Sequence, residues 1–237
     1  MSNNVFNIAD ELRSNTYPGR GIIFGRTADN KQNVTAYFIM GRSENSRNRV
    51  FVETEDGIRT EAFDPAKMVD PSLIIYHPVR ACGKQLVVTN GDQTDTICDH
   101  LREGKSYIDA LRTRQFESDA PNYTSRISGV VNEDGSYSLS ILKNFTSDRT
   151  SNKRFFYEYD KPVPGLGHFI HTYLCDGDPL LPFRGEPKCV RIELPLREMA
   201  DMMWECMNEQ NKVSLFVRYT DLASGKYEQV IINKHTK

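Results

Sequence analysis

The sequence lacks several things that would have settled its class at once. It has no apolar run of membrane-spanning length, no Cys-x-x-Cys pair among its five cysteines, and neither a Gly-x-Gly-x-x-Gly nor a Gly-x-x-x-x-Gly-Lys string. Those absences argue against a transmembrane helix, a zinc ribbon or thioredoxin-type redox pair, and a Rossmann or P-loop nucleotide site. Charge of one sign is also missing: 30 Lys and Arg stand against 32 Asp and Glu. With no global pull toward polyanions, the chain is not expected to bind nucleic acid or membranes, and any anion site must come from locally gathered Arg or Lys. Met1 to Asp10 lacks the basic start and apolar stretch of a secretory leader, and the odd cysteine count suits a reducing compartment. Both point to a cytoplasmic protein.

What is present reads as α+β. Residues 1–18 are polar without a sustained period, and Pro18-Gly19 punctuates the entry into Gly21-Ile22-Ile23-Phe24-Gly25. The expectation is a polar N-terminal extension over 1–18 and a single domain over 19–237. Short runs rich in β-branched or aromatic residues at 21–25, 34–40, 49–55, 73–80 and 86–89 predict strands. Two helices should follow. One runs from Thr94 to Gly104, and the next opens at Ser106, where Ser-x-x-Asp109 is a capping-box spacing. Asp134-Gly135 predicts a hairpin turn between strands at 126–131 and 137–142, with further strands at 155–159 and 169–174. Over 195–208, Leu196, Met199, Ala200, Met203 and Met207 recur at helical spacing behind Pro195, so this methionine stripe reads as core. A hairpin at 213–219 and 227–232 closes the chain. Strand runs and helix pairs segregated in this way favour antiparallel sheets covered by helices over βαβ repeats.

Two strings can carry chemistry. In Thr89-Asn90-Gly91-Asp92-Gln93-Thr94-Asp95-Thr96, a strand runs through small polar residues into a helix. It is either a turn capped by Thr94 or Asp95, or a cradle in which free amides and hydroxyls hold an anion. Arg42-Ser43-Glu44-Asn45-Ser46-Arg47-Asn48-Arg49 is either a solvated loop or a source of guanidinium groups for phosphate or a developing oxyanion. His168 and His171 lie three apart in a strand and so face opposite ways, and no metal site is expected.

These strings together resemble the archaeal-type IMP cyclohydrolase family. The resemblance is carried by Tyr17-Pro18-Gly19-Arg20, Arg42-Ser43, Asn48-Arg49, Pro71, Tyr76, Arg80, and Asn90-Gly91 with Thr94-Asp95-Thr96-Ile97 and Asp99. Glu117, Thr124 and Arg126-Ile127 complete it. His171-Thr172-Tyr173 and Pro182-Phe183-Arg184-Gly185 are similar with less force. The family often carries His where this chain has Gln93, and its loop between Arg42 and Arg49 is shorter.

The resemblance implies a four-layer αββα sandwich of the N-terminal-nucleophile-hydrolase-like kind, without that chemistry, because Ser2 precedes the first strand. It also implies closure of the purine ring of 5-formamidoimidazole-4-carboxamide ribotide to IMP in purine biosynthesis, with no cofactor or metal, by a homo-oligomer such as a tetramer. Its catalytic residues would be Arg49, Tyr76 and Glu117. Arg20, Arg42, Asn48, Asn90, Gly91, Thr94, Asp95, Thr96 and Arg126 would bind the ribotide. Read without the resemblance, Tyr76 is a core aromatic, Glu117 a helix-end charge and Arg49 a surface cation. Two other functions stay open: a noncatalytic purine-nucleotide-binding protein on the same fold, and an amidohydrolase of a related formamide or cyclic amide.

Overall fold

A computed structural model describes residues 4–69, 71, 74–144 and 151–236. Thirteen strands and five α-helices occur among them, in the order α1 (Ile8–Ser14), β1 (Arg20–Arg26), β2 (Gln32–Met40), α2 (Glu44–Arg47), β3 (Arg49–Thr54), β4 (Gly57–Ala62), β5 (Val79–Cys82) and β6 (Gln85–Thr89). There follow α3 (Gln93–Arg102), α4 (Tyr107–Arg112), β7 (Arg126–Val131), β8 (Tyr137–Asn144), β9 (Asn152–Tyr159), β10 (Leu166–His171), β11 (Lys188–Arg191), α5 (Leu196–Cys206), β12 (Lys212–Asp221) and β13 (Tyr227–Asn233).

The strands form two antiparallel sheets, one in the order β11-β10-β1-β2-β12-β13 and the other β3-β4-β5-β6-β7-β8-β9. Period-2 alternation decides which side chains meet. Ile22, Phe24, Tyr37 and Ile39 of the first sheet pack against Ile58, Val79, Val88, Ile127, Leu139 and Ile141 of the second. Their neighbours Ile23, Ala36, Phe38 and Met40 point outward, onto α1 and onto Met199, Ala200 and Met203 of α5. On the far side Val87, Val130 and Leu142 carry Ile97 of α3 with Ala110 and Leu111 of α4. Helices thus cover the outer faces of two sheets that share one core. No helix among the described residues is long and apolar enough to cross a membrane.

Local chemistry accounts for the elements read correctly from sequence. Ser106 and Asp109 cap α4 reciprocally, Gly135 takes a φ of +82° in the β7–β8 turn, and Pro195 is the N-cap of α5, one position ahead of its expected place.

Four departures stand out. The segment expected to lie outside the fold supplies α1, capped by Asn7, with Ile8, Ala9 and Leu12 buried in the core. Three apolar residues suffice to dock two turns of helix, and they are easily missed in a polar stretch. The strand expected over 73–80 is only β5. Leu73 falls outside the described residues, while the amides of Ile74 and Ile75 turn back onto the Pro71 carbonyl. Strands β4 and β11 were not foreseen. Finally, the sulfurs of Cys82 on β5 and Cys98 on α3 are bonded, with Cα atoms 5.5 Å apart, although nothing in their spacing announced a disulfide.

Candidate active site

Several element ends converge at one end of the sandwich, and they carry most of the charged residues that the fold buries. Arg20 opens β1, Arg49 opens β3 and Arg126 opens β7. Tyr76 precedes β5, Gly91 follows β6, and Glu117 lies between α4 and β7. Arg49 is wholly buried, Glu117 is 3% exposed and Tyr76 6%. The solvated alternatives for Glu117 and Arg49 are therefore excluded by position.

Arg49 is the most unusual of these. Its Nε donates to the Ser46 carbonyl at 2.8 Å, but both Nη atoms are buried without an acceptor among the described residues. The Arg20 Nε and Ser125 Oγ are in the same condition. Leaving such donors unpaired costs about 1–3 kcal/mol each, more for charged groups, so the fold maintains an anion-seeking interior at its own expense. Burial and the neighbouring Arg20 charge both depress the Arg49 pKa. For Arg20, burial also works against the charge, but Tyr173, Tyr76, Glu117 and Tyr17 more than offset it and raise its pKa.

Glu117 is the carboxyl facing these cations. Burial drives its pKa up, Arg20 and Arg126 pull it back, Asp119 and Asp92 push it further, and the outcome is a value of about 7. Arg126 Nη1 lies 3.9 Å from Glu117 Oε1, and a Cβ added at Gly91 would stand 2.7 Å from that Nη1 and 3.2 Å from that Oε1. Glycine at 91 is what lets the backbone approach both groups. A carboxyl titrating near neutrality can take up a proton at physiological pH, which an ordinary glutamate cannot do.

Tyr37, which was not foreseen, and Tyr173, which stood in the weaker stretch of the resemblance, flank this cluster. The Tyr37 hydroxyl lies 2.8 Å from that of Tyr76, and Tyr173 stacks on Tyr17 with its hydroxyl 2.6 Å from Thr124 Oγ1. His171 is held neutral by burial, which pushes its pKa down to about 3, and its Nδ1 sits 2.7 Å from the Tyr173 carbonyl. A core tyrosine on a strand gives no signal in a single sequence that it serves a site.

The other residues singled out in the sequence are spread around this centre. Arg42 is half-exposed, lies over the Tyr17 ring and donates to Asp176 and the Gly177 carbonyl. Asn48 ties β3 to the loop beyond β4 through the Asp64 backbone. Asn90 donates to the Ser125 carbonyl and accepts from the Ile127 amide, which fixes the turn carrying Gly91. Thr94 turns inward onto Thr89 and the Gly91 carbonyl. Asp95 pairs with Arg80 at the surface, and Thr96 accepts from Arg114. The N-cap of α3 is Asp92, whose side chain makes no capping bond because it pairs with Arg114 and Arg126. Gln93 Oε1 accepts from Arg126 Nη1 at 2.6 Å, so the glutamine orients the guanidinium beside Glu117. Of the expected set, Arg20, Arg49, Tyr76, Gly91, Glu117 and Arg126 come together, while Arg42, Asn48, Asn90, Thr94, Asp95 and Thr96 are engaged in the contacts just given.

Comparison with known proteins identifies relatives for this arrangement. The family model for IMP cyclohydrolase-like proteins matches residues 17–226. The IMP cyclohydrolase of Methanococcus aeolicus is 30% identical over 166 residues, covering 67% of this chain and 75% of that protein. The one from Methanopyrus kandleri is 27% identical over 165 residues, 66% and 75% of the two chains. That of Methanococcus maripaludis strain C5 is 32% identical over 125 residues, 51% of this chain and 61% of its own length.

Proposed function

The chain belongs to the IMP cyclohydrolase-like family, and from that premise we propose that it closes the purine ring of 5-formamidoimidazole-4-carboxamide ribotide to give IMP and water. The observation that carries this reading is the wholly buried Arg49 with two Nη groups unpaired among the described residues, sharing an interior with Tyr76 and with a carboxyl held at about 7.

The reaction joins the carboxamide nitrogen to the formyl carbon on the same ring and then expels the formyl oxygen as water. No electrons are transferred to or from an external acceptor, so orientation, proton transfer and charge stabilisation are the whole task. Glu117 accepts the proton of the attacking amide nitrogen. Tyr76 donates to the formyl oxygen, and Arg49 stabilises the negative charge that grows there. In the second stage the protonated Glu117 gives that proton to the former formyl oxygen, and the formamide N–H proton passes to the same oxygen as the C–O bond breaks and the ring C=N bond forms, so that the oxygen leaves as water. Arg20 adds a second buried cation beside Tyr76 and Glu117, and Arg126 positions Glu117. The reading carries with it the N-terminal-nucleophile-hydrolase-like sandwich, a cytoplasmic location and a homo-oligomeric state. The two helix-covered sheets support the first of these; Ser2, the only serine near such a nucleophile's place, lies outside the described residues.

The test is an ultraviolet assay of the purified protein with the formylated ribotide, with Glu117→Gln run alongside and products identified by chromatography. Rapid IMP formation that collapses in the variant sustains the reading. Deformylated ribotide as product would assign the protein to the amidohydrolases, and IMP binding without turnover would make it a nucleotide-binding protein.

A further inference from the structure

The chemistry described so far sits where β1, β3 and β7 begin. A cavity of about 430 Å³ opens between the two sheets at the opposite end, where β1 has run out to Arg26 and β2 starts. Its volume lies within the range of about 300–1,000 Å³ common to small-molecule pockets. One wall is the interior face of the first sheet, carrying Thr35 of β2 and Arg218 of β12, which pair across the strands. The other wall is apolar, with Leu86 and Val131 side by side on β6 and β7.

Arg218 faces the layer between the sheets, because Phe216, two residues earlier and so on the same face, belongs to the core they share. It is only 5% exposed, where the strand pattern calls for another apolar side chain. Its Nε and Nη2 both donate to Gln229 Oε1, and its guanidinium lies 3.8 Å from the centroid of the Tyr227 ring. Among the described residues Nη1 donates to nothing and no carboxylate pairs with this guanidinium. Glu53 is reached only through Gln229, whose Nε2 donates to it at 2.7 Å. An amide oxygen and a ring face engage the group without cancelling its charge, and a buried, uncompensated cation is costly. On the same wall the Thr35 hydroxyl is without a partner among the described residues, as is Asn33 Nδ2, the Oδ1 of that amide being taken by Arg26.

The charges at the rim select among anions. Lys84 pairs with Glu133, and the Ser224 hydroxyl and amide hold the pKa of Asp221 below its ordinary value. Of the two lining cations, Arg218 is thus the one without an anion. A single carboxylate matches it, whereas the second charge of a phosphate would face Asp221 with no cation to meet it. We infer that this cavity binds an organic monocarboxylate, with its carboxylate on Arg218 Nη1 beside Thr35 and Asn33 and its apolar body against Leu86 and Val131. The site is separate from the catalytic interior, and nothing in the inference depends on the ring-closing reaction.

The test is calorimetric titration of the full chain with 3-phenylpropionate and with octanoate, each compared with its own uncharged primary amide. The expected result is a Kd of about 1 mM or tighter for at least one acid, with its amide weaker by about tenfold or more. Arg218→Gln, which removes the charge, should weaken acid binding by about tenfold or more. Ala223→Trp should do the same by filling the mouth from the exposed β12–β13 turn, so the result does not hinge on whether the buried substitution folds. Arg49→Met should bind the acids as the wild type does. Absence of binding by either acid, amides bound as tightly as acids, or acid binding unaltered in Arg218→Gln or Ala223→Trp would overturn the inference. Binding lost in Arg49→Met and kept in Arg218→Gln would place the carboxylate in the catalytic interior and overturn it too. Inorganic phosphate bound by the wild type and lost in Arg218→Gln would refute the choice of a monocarboxylate.

Discussion

The hydroxyls of Tyr37 and Tyr76 lie 2.8 Å apart, and for the hydroxyl of Tyr37, fully buried on β2, this is the sole hydrogen bond among the described residues. One consequence follows from counting protons. A buried hydroxyl that donates nowhere is costly, so Tyr37 gives its hydrogen to the Tyr76 oxygen. The Tyr76 hydrogen is thereby left to point into the interior, where the formyl oxygen is proposed to sit. Replacing Tyr37 by Phe should lower kcat by about tenfold with little change in IMP affinity, whereas Tyr76→Phe should cost about a hundredfold or more. Steady-state kinetics with IMP titrations on the two variants check the ordering, and equal effects would disprove this direction of donation.

The position of Glu117 makes activity and stability respond to pH in opposite senses. If it accepts the amide proton, kcat should rise as pH increases through about 7, and Glu117→Gln should flatten that limb. The folded-state pKa lies above the ordinary 4.5. Protonation is therefore favoured by folding, and the associated stability is fully present below about pH 4.5 and lost as pH rises through 7. The upward shift corresponds to a cost of roughly 3 kcal/mol for the ionised group. Denaturation midpoints should show Glu117→Gln more stable than wild type at pH 8, with that advantage shrinking toward pH 5.

Arg49→Met removes two buried, unpaired donors and a buried charge while keeping much of the side-chain volume. Stability should rise by about 1–3 kcal/mol, or at the least not fall, while turnover drops by about a hundredfold or more. A paired comparison of thermal melts and kcat would show the two moving in opposite directions. A large destabilisation would mean that the guanidinium is a structural strut.

Gly91→Ala tests the close approach of the β6–α3 turn. The new methyl would meet the ends of Arg126 and Gln93 at 2.7 Å and Glu117 at 3.2 Å. Side-chain ends can give way cheaply, so the melting temperature should change by only a few degrees. The same displacement separates Arg126 from Glu117, and kcat/KM should fall by about tenfold.

Cys82 and Cys98 close a short loop between β5 and α3, and the remaining cysteines 175, 189 and 206 are free. Under denaturing, non-reducing conditions the protein should show three titratable thiols and five after reduction, with reduction lowering stability by about 3 kcal/mol or less. Five thiols without reductant would show that the pair is reduced in solution.

The sequence was informative wherever a local device fixes local structure. Ser106 with Asp109, and Asp134-Gly135, carry their geometry in a few adjacent residues. It was silent where long-range packing decides, as for α1, whose Ile8 and Leu12 matter only once α5 is beside them. The same division runs through the site. Arg20, Arg49, Tyr76, Glu117 and Arg126 were found because their neighbours in sequence resemble a family. Tyr37 owes its place to strand register, and a strand tyrosine reads the same in any protein. Thr94 shows the reverse: a polar residue in the most distinctive string is spent on its own turn.

At the reaction centre the ends of strands from the two sheets come together. Arg20 and Tyr37 come from one, while Arg49 and Arg126 come from the other, with Glu117 and Tyr76 on loops attached to the second. An anion gripped by Arg20 and Arg49 together is then a further clasp between halves of the molecule already joined at that end by the Tyr37–Tyr76 and Thr124–Tyr173 hydroxyl contacts. Nucleotide binding should report on the whole molecule: amides of both sheets should gain protection from hydrogen exchange together when IMP is added. A substrate that ties the sheets in this way helps to hold the protein folded as well as being what it acts on.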